Sequence, residues 1–201
     1  MNVRLQYDLD FLAGIYYDER LQLNSYSISM SLLTKTTDAL NTNIAMDRLK
    51  MFMHGELANT VFINQALRER AEMLQIMGVN VTTLPEEPVD QIVGMMLYYK
   101  LNAIMEQRLI VTEVEIESCF GENLVYLHHE DEDTTDIVRP KWWDTADLLH
   151  CDAELIQQDK VVAINHTRTW RELDLAWSDN TSSTSSGNVV VFADFKRDDT
   201  E

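Results

Sequence analysis

Metal binding is the first chemistry that the residue types suggest. His128, His129, Glu130, Asp131, Glu132 and Asp133 gather six donor side chains in consecutive positions. Consecutive histidines on a strand point to opposite faces, so the pair does not converge on one ion. The acidic run also lacks the glycine that an EF-hand loop needs at its turn. These residues read as a solvated acidic loop, and no metal site is expected. Glu113, Glu115 and Glu117 stand at alternate positions, which on a strand places them about 6.5–7 Å apart on one face. Inverting glycosidases separate two carboxyls by about 6.5–9.5 Å and retaining ones by about 5–5.5 Å, so distance permits only the first. A regular acidic ladder is more simply the wet face of an amphipathic strand, or a dock for a basic partner. His150, Cys151 and Asp152 are neighbours in sequence, whereas a nucleophile and its base normally come from separate elements. His54 and His166 are isolated, and neither a G-x-G-x-x-G turn nor a P-loop occurs. No residue is assigned a catalytic role, and no cofactor is expected.

Two further pairs have two readings each. Glu86 and Glu87 lie between Pro85 and Pro88 at the start of a helical stretch, where they either cap the helix or anchor a ligand. Trp142 and Trp143 follow Pro140; they form an exposed anchor pair of the kind enriched at interfaces, or they close the core over the tail.

The elements that must position these groups are legible from periodicity. Val3, Leu5, Tyr7, Leu9 and Phe11 alternate with polar residues and predict a half-buried first strand. In the second strand Leu21 and Leu23 are apolar at odd positions, then Tyr26, Ile28, Met30 and Leu32 at even ones. Because period two cannot change phase without an extra residue, a bulge is expected near Asn24–Ser25. Ser25, Ser27, Ser29 and Ser31 line the other face. A helix capped by Asn43 would bury Ala45, Leu49, Phe52, Met53 and Leu57. A shorter one from about Asn64 would bury Leu67, Ala71, Leu74 and Met77 and stop at Gly78. Residues 79–84 read as a short extended piece. Residues 89–108 are apolar nearly all round, which predicts a helix buried on more than one side, in a core or a subunit contact. The strand 110–117 follows, and Gly121 turns it into 124–127. Past His128 come an acidic linker, 130–140, and a tail, 141–201, that holds all four tryptophans and predicts strands at 160–165 and 188–195. The expected fold is α+β: an antiparallel sheet with a ββααββ core over residues 1–129, packed on two to three helices, plus a β-containing C-terminal extension.

Charge narrows the partners. The chain has 201 residues and a formal net charge of −18. Residues 101–201 carry 22 acidic and 8 basic side chains, and nine acids with no Lys or Arg lie between Arg108 and Arg139. Such a field repels nucleic acid and anionic membranes and attracts basic surfaces. No apolar run of about 18 residues exists to cross a membrane. The alternating N-terminus is not a secretory signal, so the mature chain is expected to start at Met1. Cys119 and Cys151 lack metal-site spacing and are expected to be free thiols in a cytoplasmic setting.

The segment Leu84-Pro85-Glu86-Glu87 through Thr112-Glu113-Val114-Glu115 stands where the tunnelling fold has a Pro-Thr-x-Glu turn and a Val-x-Glu strand. With the strand–strand–helix–helix–strand–strand order over roughly residues 3–127, it resembles the fold of 6-pyruvoyl-tetrahydropterin synthase and its 7-deazaguanine relatives. That resemblance implies a sheet closing into a barrel between subunits, hence a homo-oligomer, and a pterin-type or purine-type ligand anchored at Glu86 or Glu87. The synthases carry a zinc-binding His-x-His pair on the second strand; here that strand reads Leu-Asn-Ser-Tyr-Ser-Ile-Ser, without histidine. Separately, residues 88–106 (Pro-Val-Asp-Gln-Ile-Val-Gly-Met-Met-Leu-Tyr-Tyr-Lys-Leu-Asn-Ala-Ile-Met-Glu) and residues 190–197 (Val-Val-Phe-Ala-Asp-Phe-Lys-Arg) resemble an uncharacterised family of large contractile-tailed bacteriophages. This implies a non-enzymatic viral protein in the host cytoplasm or the virion, acting through protein–protein contacts as a virion or assembly component or as an acidic inhibitor of a host protein. Its partner would be a basic protein surface or a neighbouring subunit, met by Glu113, Glu115, Glu117, Glu130, Asp131, Glu132, Asp133, Trp142 and Trp143. A tunnelling-fold protein that binds or converts a pterin or purine is the alternative.

Overall fold

Alternation of apolar and polar residues builds two long strands, β1 (Arg4–Tyr17) and β2 (Arg20–Thr34), joined by the two-residue turn Asp18-Glu19. In a computed structural model the described residues are 3–122, 124–129, 141–151 and 168–178. The expected strands at 160–165 and 188–195 and the run Glu130–Asp133 lie outside them. After β2 come α1 (Ala39–Met51), a π-helical continuation (Phe52–Leu57), β3 (Val61–Asn64), α2 (Arg68–Ile76), β4 (Val81–Leu84), α3 (Asp90–Met105), β5 (Leu109–Ser118) and β6 (Tyr126–His129).

The six strands form one sheet in the order β4-β3-β1-β2-β5-β6. The pairs β1–β2, β2–β5 and β5–β6 are antiparallel. The pairs β1–β3 and β3–β4 are parallel, so the sheet is mixed and not the purely antiparallel one expected. The extended piece expected at 79–84 is β4, but its pairing and the whole of β3 carry no alternation, because Val61-Phe62-Ile63 and Val81–Leu84 are buried at every position. Parallel strands covered on both faces lose the alternation that marks a half-exposed strand. Phe62 faces the main core, while Val61, Ile63 and Val81 face a smaller cluster with Ala71 and Leu74 of α2. Thus α2 covers the β3–β4 end on one side, and α1 and α3 line the other face of the whole sheet.

The phase change expected in β2 does not occur. The β1–β2 register runs without a shift through Ala13↔Asn24 and Leu12↔Ser25, and the irregularity falls at Ser31/Leu32 against β5. Leu21 and Leu23 stay on the outer face, 54% and 76% exposed, and Asn24 takes the inner position, 2% exposed. Its amide oxygen accepts a hydrogen bond from Phe120 N at 3.0 Å, which satisfies that half of the polar group placed inside.

Helix α1 starts earlier than expected. Asp38, not Asn43, is the N-cap, accepting from Leu40 N at 2.9 Å. The stripe Ala45, Leu49, Phe52, Met53 and Leu57 is fully buried as its spacing predicts. In α2 Ala71 and Leu74 are buried, whereas Leu67 and Met77, 37% and 70% exposed, flank the nine-residue helix Arg68–Ile76 at its two ends. Gly78 follows with φ +81°, the left-handed conformation that ends helices without a Cβ penalty. Helix α3 is buried on two sides, as its all-round apolarity predicts. One side meets the sheet at Gly94, where an added Cβ would lie 3.0 Å from Ile116 Cγ2. The other meets the tail, whose Trp142, Trp143, Leu148 and Trp177 join the same core.

Candidate functional site

Alternation along four adjacent strands, β1, β2, β5 and β6, creates an outer face that, among the described residues, no helix covers over the rows from Gln6 to Asp10. Register aligns it in rows: Gln6–Ser31–Glu113–His129, Asp8–Ser29–Glu115–Leu127 and Asp10–Ser27–Glu117. A column of serines therefore runs between carboxylates on β1 and carboxylates on β5. The flanking columns are two strand spacings apart, about 10 Å, with about 6.5–7 Å between successive carboxylates. The small serines leave a shallow depression of about 250 Å³, lined by Asp8, Ser27, Ser29, Glu115, Glu117 and Val125 among others. Among the described residues no Lys or Arg pairs with these carboxylates. His129 Nδ1 approaches Glu113 at 3.9 Å, and the Gln6 amide donates to Asp8 at 3.2 Å and to Ser29 at 3.1 Å. Five like charges on an unneutralised face raise a negative potential that a cation lowers. The three expected residues Glu113, Glu115 and Glu117 are here; Asp8, Asp10 and the serine floor join them only through strand pairing.

The histidines separate as expected. His128 is 1% exposed with its ring 4.9 Å from that of Tyr98, while His129 faces outward. Among the described residues no three His, Cys, Asp or Glu side chains gather to hold a metal. Cys151 is buried and lies 3.9 Å from Gln75 Nε2, and Cys119 is exposed.

Glu86 and Glu87 are exposed and precede the helix, which begins at Asp90 with Val89 as its N-cap. Glu87 accepts from Asn64 Nδ2 at 3.1 Å. The acid in the first turn of α3 is Asp90, which sequence reasoning passed over. Ser118 Oγ donates to its carboxylate, 2.7 Å from Oδ1, and accepts from Gly121 N at 3.0 Å. Burial raises the Asp90 pKa, and the Ser118 hydrogen bonds oppose that shift. Nearby, the Asn24 amide and the fully buried Tyr26 hydroxyl approach each other without a well-formed hydrogen bond. Burial first, and then the charge of Asp90, push the tyrosine's pKa up. Gly121 is required here, since a Cβ would fall 2.2 Å from Asp90 Oδ2. The cluster is close-packed and ties the β5–β6 turn to α3.

Trp142 and Trp143 are 3% and 1% exposed, so they close the core and do not present an exposed pair. Two buried cations hold the tail down. The Lys100 ammonium, fully buried, donates to Trp142 O and Thr145 O, both at 2.9 Å, and to Asp147 at 3.2 Å. Burial lowers its pKa to about 8, against the opposing pull of Asp147. The Arg48 guanidinium donates to Leu175 O at 2.8 Å and Ile104 O at 3.1 Å and pairs with Glu106 at 2.9 Å. It lies 3.7 Å from the centre of Trp177, whose ring also lies 4.4 Å from Arg108.

No protein-family model matches the chain, and no curated protein matches it. In structure it is similar to an uncharacterised protein from Wolinella succinogenes, with TM-score 0.46, 11% identity, and coverage of 65% of this chain and 99% of that one. It is also similar to the 6-pyruvoyltetrahydropterin synthase of Plasmodium vivax, with TM-score 0.42, 10% identity, and coverage of 66% and 99%. Neither likeness assigns a family or an activity. The element order that the sequence resemblance implies is present in β1, β2, α1, α3, β5 and β6, with β3–α2–β4 placed between α1 and α3.

Proposed function

We propose that the protein acts through protein–protein contacts, holding a basic partner on the outer face of its sheet. The observation that carries this reading is the serine column flanked by Asp8, Asp10, Glu113, Glu115 and Glu117, without a described Lys or Arg to neutralise it, in a chain of net charge −18. The sequence continues past β6 into the acidic run Glu130–Asp133, which adds to the chain's negative charge. The resemblance to contractile-tailed bacteriophage proteins supports a virion component, an assembly factor or an inhibitor of a host protein, in the host cytoplasm or the virion, working as a homo-oligomer.

The test is affinity capture from infected-cell lysate with the wild-type chain and with the triple variant Glu113→Gln, Glu115→Gln, Glu117→Gln. A basic protein retained at low salt, released at about 0.5 M salt and absent from the variant supports the reading. Retention unaffected by salt and by the triple variant overturns it. Native mass spectrometry of the same samples reports subunit number, and a co-purifying pterin-sized or purine-sized mass favours the ligand-binding alternative.

A further inference from the structure

The outer face changes character along its length. Beyond the Asp10 row the same face carries Leu12 beside Ser25, Gly14 beside Leu23, and Tyr16 beside Leu21. Leu12, Leu21 and Leu23 are 48%, 54% and 76% exposed. Val125, 60% exposed, borders the acidic depression from the β6 side. From Gln6 to Tyr16 the face is about 33 Å long, acidic over one half and apolar over the other. Among the described residues, α2 lies over β3 and β4 and packs against Tyr16 at the end of this face, the other helices lie on the inner face, and Leu12, Leu21, Leu23 and the carboxylate rows stay open.

We infer that this face docks an extended, cationic and amphipathic segment of a partner protein, with lysine or arginine side chains over the carboxylate rows and an apolar end over the leucines beside the β1–β2 turn. The inference rests on the basic-partner reading and adds the partner's polarity to it. Three observations select this occupant. A second copy of the chain would bring carboxylates against carboxylates across the face, and a nucleic acid would bring phosphates; both are repelled. An extended segment repeats its side chains every 6.5–7 Å or so, the spacing of carboxylates within each column. The serine floor, between columns about 10 Å apart, has the width of one backbone with room for its side chains on both sides. Charge brings the partner in, and the leucines supply the apolar anchor that sets which end lies where.

The experiment uses two labelled synthetic peptides with the full-length protein, read by fluorescence anisotropy over a salt series. One has lysines at alternate positions in its first half and leucines at alternate positions in its second; the other replaces every leucine by serine at equal charge. The leucine-bearing peptide is expected to bind about tenfold tighter or better, the gain from burying one or two leucine side chains. The double variant Leu21→Ser, Leu23→Ser is expected to abolish that advantage while leaving the serine-bearing peptide's affinity unchanged, and Glu115→Gln with Glu117→Gln to weaken both peptides. Equal affinity for the two peptides overturns the composite face and leaves the basic-partner reading intact. Absence of salt-sensitive binding by either peptide overturns both. Circular dichroism of each variant confirms that the exposed substitutions leave the fold in place.

Discussion

Lys100 shows how one residue links the tail to the core. Its ammonium donates to Trp142 O, which Thr145 Oγ1 also reaches at 2.8 Å, to Thr145 O and to Asp147, so Lys100→Met, which removes all three bonds, should cost about 2–3 kcal/mol in a urea titration. Its lowered pKa adds a second signature. Between about 8 and its ordinary 10.5, the unfolded chain holds the proton and the folded chain does not, so stability rises with pH across that window. The slope for this single proton is at most about 1.4 kcal/mol per pH unit, and the Met variant should lack that contribution when urea midpoints are compared between about pH 8 and 10. An identical pH profile in the two proteins would refute the buried-ammonium assignment. None of this was legible beforehand: a lysine in an apolar helix has no partner in its local sequence, and its acceptors lie more than 40 residues away.

At the scale of elements, α3 and the β1–β2 turn make opposite predictions. Met96 is fully buried in the middle of α3, and Met96→Asp should unfold the protein, since an unpaired buried carboxylate costs several kcal/mol. A soluble Met96→Asp variant with an unchanged circular dichroism spectrum would contradict that burial. Asp18 and Glu19 both have positive φ, 48° and 59°, in a two-residue turn that favours Asn-Gly. Replacing them by Asn-Gly should stabilise the protein by about 1 kcal/mol, seen as a shifted urea midpoint. The edge of β5 beyond β6 is closed by a side chain: Asn102 donates to Val111 O at 3.1 Å and accepts from Val111 N at 2.9 Å. Elements with a period were readable, which is why β2, α3 and β5 match their expected spans closely, whereas β1 continues past Phe11 to Tyr17 and α1 begins at Ala39, ahead of Asn43. β3 was not, because burial on both faces erases the period; β4 was legible as an extended piece at 79–84 but not as a member of the sheet, and the exposed Leu21 and Leu23 imitated a phase change that the register lacks. The candidate face was half legible: the glutamates and serines alternate visibly, but that Asp8 and Asp10 lie across from them follows only from strand order.

For the whole molecule, surplus charge is a standing strain on the compact state. Net charge of −18 with five carboxylates on one face means that screening should stabilise the fold. The melting temperature is expected to rise between about 0.02 and 0.3 M sodium chloride, and to rise less in the Glu113→Gln, Glu115→Gln, Glu117→Gln variant, as differential scanning calorimetry would report. A flat response in the wild type would show that the acidic face carries no strain.

The hairpin of β1 and β2 also sets an order of events in time. Its fourteen cross-strand pairs are joined by a two-residue turn and can form as soon as residue 34 is available, whereas the next neighbour of β2 is β5, some 80 residues later in the chain. During synthesis the edge of β2 must therefore wait, unpaired, for most of the domain to appear. Alternate serines on that waiting strand make it a poor template for a stray apolar strand. The column that floors the acidic face in the finished protein thus also protects the half-made one.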